Sequence, residues 1–134
     1  MLAAEGRVVS MTDKNRALLE RLWPIDGQLA LSAEAEHELR TEDYVLELPQ
    51  SGERIDGRDK MRAMQQEYPA PPTIEIHRIT GAGDHFVVLG RSDYGGEIYH
   101  VANIVEFTDG RIAHETRIYG PPFEPPTWRK KYAT

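Results

Sequence analysis

Glu97-Ile-Tyr-His-Val-Ala-Asn-Ile-Val-Glu-Phe-Thr-Asp-Gly-Arg-Ile-Ala-His-Glu-Thr-Arg-Ile-Tyr119 is the stretch that decides the fold. Two β-rich runs flank Thr108-Asp109-Gly110, a combination that signals a hairpin. Asn103, Glu115 and Arg117 sit inside the runs rather than at their ends. A strand in a packed sheet buries one face, so a polar group in mid-strand is either solvated outside or paired inside. If these three groups lie inside, they line a pocket, and a pocket is where function resides.

Outward from the hairpin, Gly95-Gly96 and Gly81-Ala-Gly83-Asp84 punctuate two further strand-like runs, residues 73–80 and 85–94. The connector Pro69-Ala-Pro-Pro72 is extended. Before it, a helix is expected from Arg58 to Glu67, opened by Gly57, and a short strand at residues 43–48 closed by Pro49. Helix one is expected over about residues 13–23, capped by Thr12 or Asp13, with Ala17, Leu18, Leu22 and Trp23 as its apolar stripe. A second helix is expected over about 26–40. Helices first and an antiparallel meander second argue for an α+β fold, with helices packed on one face of a sheet. Residues 1–11 read as a loose arm, 12–128 as one domain and 129–134 as a tail. The proline-rich segment 120–126 is expected to run extended and deliver Trp128 and Tyr132 to an apolar surface.

At 134 residues the chain is long enough for one real core. Its net charge of −6 and lack of a basic stripe argue against nucleic-acid or anionic-membrane binding. There are no cysteines, which excludes disulfides, zinc thiolate sites and thiol nucleophiles. No apolar run approaches the roughly 20 residues of a membrane span, and the first residues lack the apolar core of a signal peptide. A cytoplasmic location is expected.

The order helix, helix, strand ending in Glu47-Leu-Pro49, then Ser51-Gly52-Glu53-Arg54-Ile55, Gly57-Arg58 opening a helix, and four strands with Phe107-Thr-Asp-Gly-Arg-Ile112 resembles the nuclear transport factor 2-like superfamily. Within it the chain resembles the SnoaL-like, polyketide cyclase-like group over about residues 13–128. The resemblance implies a cone-shaped, cystatin-like α+β fold, with three N-terminal helices on a strongly curved, mostly antiparallel sheet. It also implies an apolar cavity and a homodimer packed through the sheet. In ketosteroid isomerase, similar in fold, the general base precedes the proline of the first strand. That position is Leu48 here, which cannot move a proton. The isomerase acid falls near Asn103, and the epoxide-hydrolase carboxylate of the last strand falls at Arg117.

Register decides which residues face the cavity, because a one-residue slip exchanges the faces. A two-residue Asp109-Gly110 loop pairs Thr108 with Arg111 and groups Val101, Asn103, Val105 and Phe107 with Ile112, His114, Thr116 and Ile118. A three-residue loop pairs Phe107 with Arg111 and groups the same face with Ala113, Glu115, Arg117 and Tyr119. The second fits a type I turn followed by a left-handed Gly110 and fits the resemblance, so it is the expected arrangement. Tyr99, Val101, Asn103, Glu115, Arg117 and Tyr119 then line the cavity, while His100, Ile104, His114 and Ile118 face outward.

On this reading Glu115, Arg117 and Asn103 are the candidate catalytic residues. Arg117 would hold an anionic or carbonyl-bearing ligand, with Glu115 as base; the competing reading is a buried ion pair completed by Asn103. Trp23, Tyr44, Leu48, Tyr99, Val101 and Tyr119 are the candidate ligand-binding residues. Neither cofactor nor metal is expected: the outward His100 and His114 lack a matching third ligand. His37 is a candidate acid–base group at the cavity mouth, His77 and His85 are surface residues, and Arg91 is expected to pair with Asp93 or Glu106. The expected function is binding of a small hydrophobic, carbonyl-bearing or cyclic metabolite, with cofactor-free acid–base chemistry open. The alternative is a non-catalytic binding or dimerisation module whose pocket is filled by its own side chains.

Overall fold

Turn glycines and prolines divide the chain into helices α1 (Met11–Leu22), α2 (Ala33–Glu38) and α3 (Arg58–Glu67), and six strands. The strands are β1 (Arg40–Leu48), β2 (Glu53–Asp56), β3 (Thr73–Ala82), β4 (His85–Tyr94), β5 (Glu97–Thr108) and β6 (Arg111–Gly120). A 3-10 helix, Thr127–Tyr132, follows. The computed structural model describes residues 11–25, 32–68 and 71–134.

The strands form one sheet in the order β2-β1-β6-β5-β4-β3. Every neighbouring pair is antiparallel except β1 and β6, which run parallel. Register shifts interrupt three of the ladders, between β1 and β6, β3 and β4, and β5 and β6. Such irregularities bend a strand and increase its twist, so the sheet curves around the side that carries the helices. The α+β class expected from the element order is what the structure has.

α1 buries Asn15, Leu19 and Leu22 on one face, the spacing that keeps side chains on one side of a helix. Polar groups of α1 clamp the β3–β4 turn. Asn15 Nδ2 donates to the Gly83 carbonyl at 2.9 Å, and the Gly83 amide donates to Thr12 Oγ1 at 2.6 Å. Ser32 caps α2, its Oγ accepting from the Ala35 amide. Beneath the helices lies a core that includes Tyr44, Leu46, Met61, Phe86, Val105 and Ile112. The Phe86 and Phe107 rings meet edge to face at 5.9 Å.

The hairpin corrects the expected register. Thr108 pairs with Arg111 and Phe107 with Ile112, so the loop has two residues, not three. Asp109 (φ 50°) and Gly110 (φ 80°) are both left-handed, the signature of a type I′ turn. Glu106 then pairs with His114, leaving Ala113 as the extra residue of a bulge. The bulge shifts the phase of β6 by one residue. Ile112 faces the core, and so do Glu115 and Arg117 beyond it, opposite Val105 and Asn103. The expected face is therefore right for a reason the turn alone did not contain. Gly110→Val is expected to destabilise the protein by roughly 1 kcal/mol or more, because a β-branched residue resists positive φ. Urea denaturation reads this directly.

Other expectations need correction. Arg40 opens β1 instead of ending a helix, and the first part of the expected second helix, residues 26–31, lies outside the described residues. β2 was not anticipated as a strand; it pairs with β1 as its edge. Trp128 and Tyr132 are 69% and 74% exposed, so they are not buried against an apolar surface of the described residues. Arg91 lies opposite Glu75 on β3 and ion-pairs with it at 3.4 Å, so neither Asp93 nor Glu106 is its partner. His100 pairs with Gly120 while His114 pairs with Glu106, so the two histidines lie further apart along the hairpin than the one or two rungs expected. His77 and His85 are exposed, as expected. No described helix is long and apolar enough to cross a membrane.

Candidate functional site

Parallel pairing of β1 with β6 sets Leu46 beside Glu115, and this places Tyr44, Arg40 and Glu115 under the same helices. Glu115 is fully buried, at 0% exposure. Its Oε1 accepts from the Tyr44 hydroxyl at 2.6 Å. Its Oε2 accepts from Asn103 Nδ2 at 2.6 Å and from Arg117 Nε and Nη2 at 3.1 and 2.9 Å. Arg40 Nε stands 4.0 Å from Oε1. Arg40 in turn donates to Glu36 Oε1 and to Gln65 Oε1, and Gln65 donates back to Glu36. Two carboxylates and two guanidiniums thus form two hydrogen-bonded ion pairs linked by the 4.0 Å approach of Arg40 to Glu115, with no net charge, which is the condition for charge to be tolerated there.

This network decides the protonation of Glu115. Burial alone would raise its pKa, but Arg117 and Arg40, with hydrogen bonds from Tyr44 and Asn103, outweigh burial and pull it down to about 2. Arg117 is held charged in the same way, Glu115 outweighing the cost of burial. Burial, then the neighbouring Glu115 charge, pushes the Tyr44 hydroxyl well above its usual range. The stabilisation from the lowered carboxylate is complete above the usual glutamate value of 4.5 and is lost as pH falls toward about 2. The carboxyl carbon resonance of Glu115 is expected to titrate near pH 2 in the folded protein, with stability declining between pH 4.5 and 2. A midpoint near 4.5 would mean that the guanidiniums do not hold it.

A cavity of about 500 Å³ lies between α2, α3 and the sheet. Leu46, Leu48, Met61, Met64, Tyr68, Ile74, Tyr94 and Tyr119 give it apolar walls, with Glu36, Gln65, Ser92 and Arg117 as polar points. Its size and lining suit a small organic ligand. A smaller space of about 50 Å³, bounded by Trp23, Val88, Val101 and Asn103, shares Arg117, Tyr119, Ile74 and Ser92 with it. Arg117 is thus the cation common to both. Its side chain keeps 17% of its surface accessible, and its Cζ lies 5.9 Å from the centre of the Trp23 ring. Nη1 has no hydrogen-bond partner among the described residues.

The candidate residues therefore separate. Arg117, Leu48 and Tyr119 line the larger cavity; Trp23, Val101 and Asn103 line the smaller space. Glu115 and Tyr44 are completely enclosed and line neither space, so Glu115 reaches the cavity only through its bond to Arg117, and Tyr44 is not a wall of it as expected. Tyr99 stands at the rim, its ring edge to face with Tyr94 and Tyr119 and its hydroxyl donating to Glu97. His37 is buried and bound to Asp59. The sequence reading missed Glu36, Arg40 and Gln65. Arg40 and Glu36 are four apart, a helical ion-pair spacing that was a usable signal. Their burial was not, since Arg40 already belongs to a strand.

The sequence model of the SnoaL-like domain matches residues 30–115. Among solved structures, an NTF-2 like protein of unknown function from Burkholderia xenovorans LB400 is 33% identical, with a TM-score of 0.80 over 91% of this chain and 94% of that one. A proposed ketosteroid isomerase from Kribbella flavida DSM 17836 is 27% identical, with a TM-score of 0.80 over 95% and 93%. A proposed SnoaL-like polyketide cyclase from Jannaschia sp. CCS1 shares the fold at 14% identity, with a TM-score of 0.66 over 81% and 87%. No curated protein sequence matches the chain. With its element order, its curved six-stranded sheet and these matches, the chain belongs to the SnoaL-like family of the nuclear transport factor 2-like fold.

Proposed function

We propose that the protein binds a small, largely apolar, carbonyl-bearing metabolite in the cavity between α2, α3 and the sheet. The observation that carries this reading is Arg117. It is a charge-neutralised guanidinium, anchored on Glu115 through two of its nitrogens, with the third unpartnered among the described residues, and it lines a cavity whose walls are mostly apolar. Such a donor orients a carbonyl or carboxylate oxygen, and the apolar walls supply the affinity.

Cofactor-free acid–base chemistry on the same ligand is the second reading, and Glu36 favours it. Glu115 has its oxygens occupied and its charge held. Glu36 is the one carboxylate among the described cavity-lining residues. Its Oε1 accepts from Arg40 and Gln65, which leaves Oε2 without a partner among the described residues. A carboxylate on one wall and a guanidinium donor on another are the two groups needed to remove a proton beside a carbonyl.

A homodimer through the outer face of the sheet completes the proposal. Ile104 and Ile118 are exposed there, on adjacent strands. Isolated apolar side chains are normal on a surface, but these two are diagonal neighbours across the β5–β6 ladder and make a contiguous apolar patch that fits a second copy.

A thermal-shift and calorimetric screen of cyclic ketones tests binding. Leu48→Trp, which fills the cavity from an edge position, is expected to abolish the shift while the protein stays folded. Equal binding by this variant would place the ligand elsewhere. Loss of α-hydrogen from a bound ketone in D2O, read by NMR, separates catalysis from binding alone.

A further inference from the structure

α2 carries a second cluster, away from the cavity network, that the reading above leaves without a role. Glu34, His37 and Glu38 occupy positions three and four apart, so they share one helix face. One ligand atom from each lies within 4.8 Å of the others.

The histidine is the informative member. Its side chain is only 7% exposed, yet its Nδ1 has no hydrogen-bond partner. The carboxylate it faces, Glu38 Oε1, is 3.6 Å away, too far for a hydrogen bond. Nε2 is bound to Asp59 Oδ1 on α3 at 2.7 Å. A ring N–H donated to a carboxylate fixes the tautomer and turns the other nitrogen's lone pair outward to a ligand. Here Nδ1 stands 3.6 Å from Glu38 Oε1 with Glu34 close by, a set of three electron donors whose one donor hydrogen comes from Arg62 on Glu34 Oε1. A carboxylate behind the imidazole is also how proteins orient histidines that ligate metals.

We propose that Glu34, His37 and Glu38 form a binding site for a divalent transition-metal ion of the zinc class, with Asp59 orienting the imidazole. One nitrogen and two carboxylate oxygens suit such an ion, with water completing the shell. Arg62 now holds Glu34 Oε1 at 2.8 Å and lies 3.8 Å from Asp59. On metal binding it keeps Asp59 and releases that oxygen of Glu34. Ala33 and Glu36 of the same helix line the cavity, so the ion would brace a cavity wall from its exposed side.

Calorimetric titration of the full chain with Zn²⁺ tests this. One saturable ion per chain is expected, with a shift of the His37 Nδ1 resonance in ¹⁵N spectra. The exposed pair Glu34→Gln with Glu38→Gln is expected to remove binding. Asp59→Asn is expected to weaken it by about tenfold or more with an unchanged circular dichroism spectrum. Two results would overturn the site. One is no saturable binding at millimolar Zn²⁺, which would leave the cluster an ion pair of a protonated histidine. The other is unchanged binding by the double variant, which would assign the ion to another histidine such as His114 beside Glu47 and Glu106.

Discussion

Glu115→Gln is expected to lower the unfolding free energy by about 3–5 kcal/mol, the range for breaking a buried ion pair by removal of one partner. The carboxylate is completely enclosed and is bonded by Tyr44, Asn103 and Arg117, with Arg40 at 4.0 Å. Glutamine has nearly the same shape, so packing loss contributes little. The cost is electrostatic: Arg40 keeps Glu36, but Arg117 is left with no carboxylate. The amide also presents donor hydrogens to groups that are themselves donors. Urea denaturation monitored by circular dichroism measures the loss. The double variant Glu115→Leu with Arg117→Met removes both charges and is expected to recover much of it. A single variant within 1 kcal/mol of the parent would show that water reaches this carboxylate.

Gly81→Ala is expected to cost about 4 kcal/mol, from two effects that add. Gly81 has φ 135°, a backbone conformation that costs a residue with a side chain about 1–3 kcal/mol. A Cβ there would overlap the His85 carbonyl oxygen and lie 2.7 Å from Phe86 Cα. Both obstacles are backbone, so no rotamer change relieves them, and overpacking adds about 1–3 kcal/mol. Phe86 is a core ring, so displacing it spreads the damage. Thermal unfolding of the variant measures the total, and a loss below 1 kcal/mol would mean that the β3–β4 turn relaxes freely.

Much of the fold is legible because its signals are local. The helix Arg58–Glu67 and the strand His85–Tyr94 have the bounds expected from the glycines and prolines around them. Those residues act on their own φ and ψ, so their effect is visible wherever the chain goes. β2 was missed because Glu53–Asp56 has four residues and little apolar content; it is a strand only because β1 offers it an edge. The hairpin lies between these cases. Asp109-Gly110 predicts a two-residue type I′ turn as readily as a longer loop. A type I turn with a left-handed Gly110, together with the family resemblance, favours the longer loop, and a bulge at Ala113 gives Glu115 and Arg117 the same facing with the shorter turn. A bulge leaves almost no local mark, since alanine is unremarkable in a strand.

The amino-acid order alone determined the class of the fold and the succession of most of its elements, but left the facing of Asn103, Glu115 and Arg117 to a register that the bulge at Ala113 sets. Alternation, turn chemistry and helical spacing are properties of neighbours in the chain. The tertiary structure alone decided that Glu115 is sealed under Tyr44 while Arg117 reaches the cavity, and that Glu36 and Arg40 join them. Tyr44 and Glu115 are 71 positions apart and meet only because β1 lies parallel to β6. No periodicity encodes a contact between strands so distant. It follows from the bent sheet closing under its helices, where a charge persists only if it is paired: Arg117 on the same strand supplies the counter-charge of Glu115, and Tyr44, Asn103 and Arg40 arrive from other strands to complete the site.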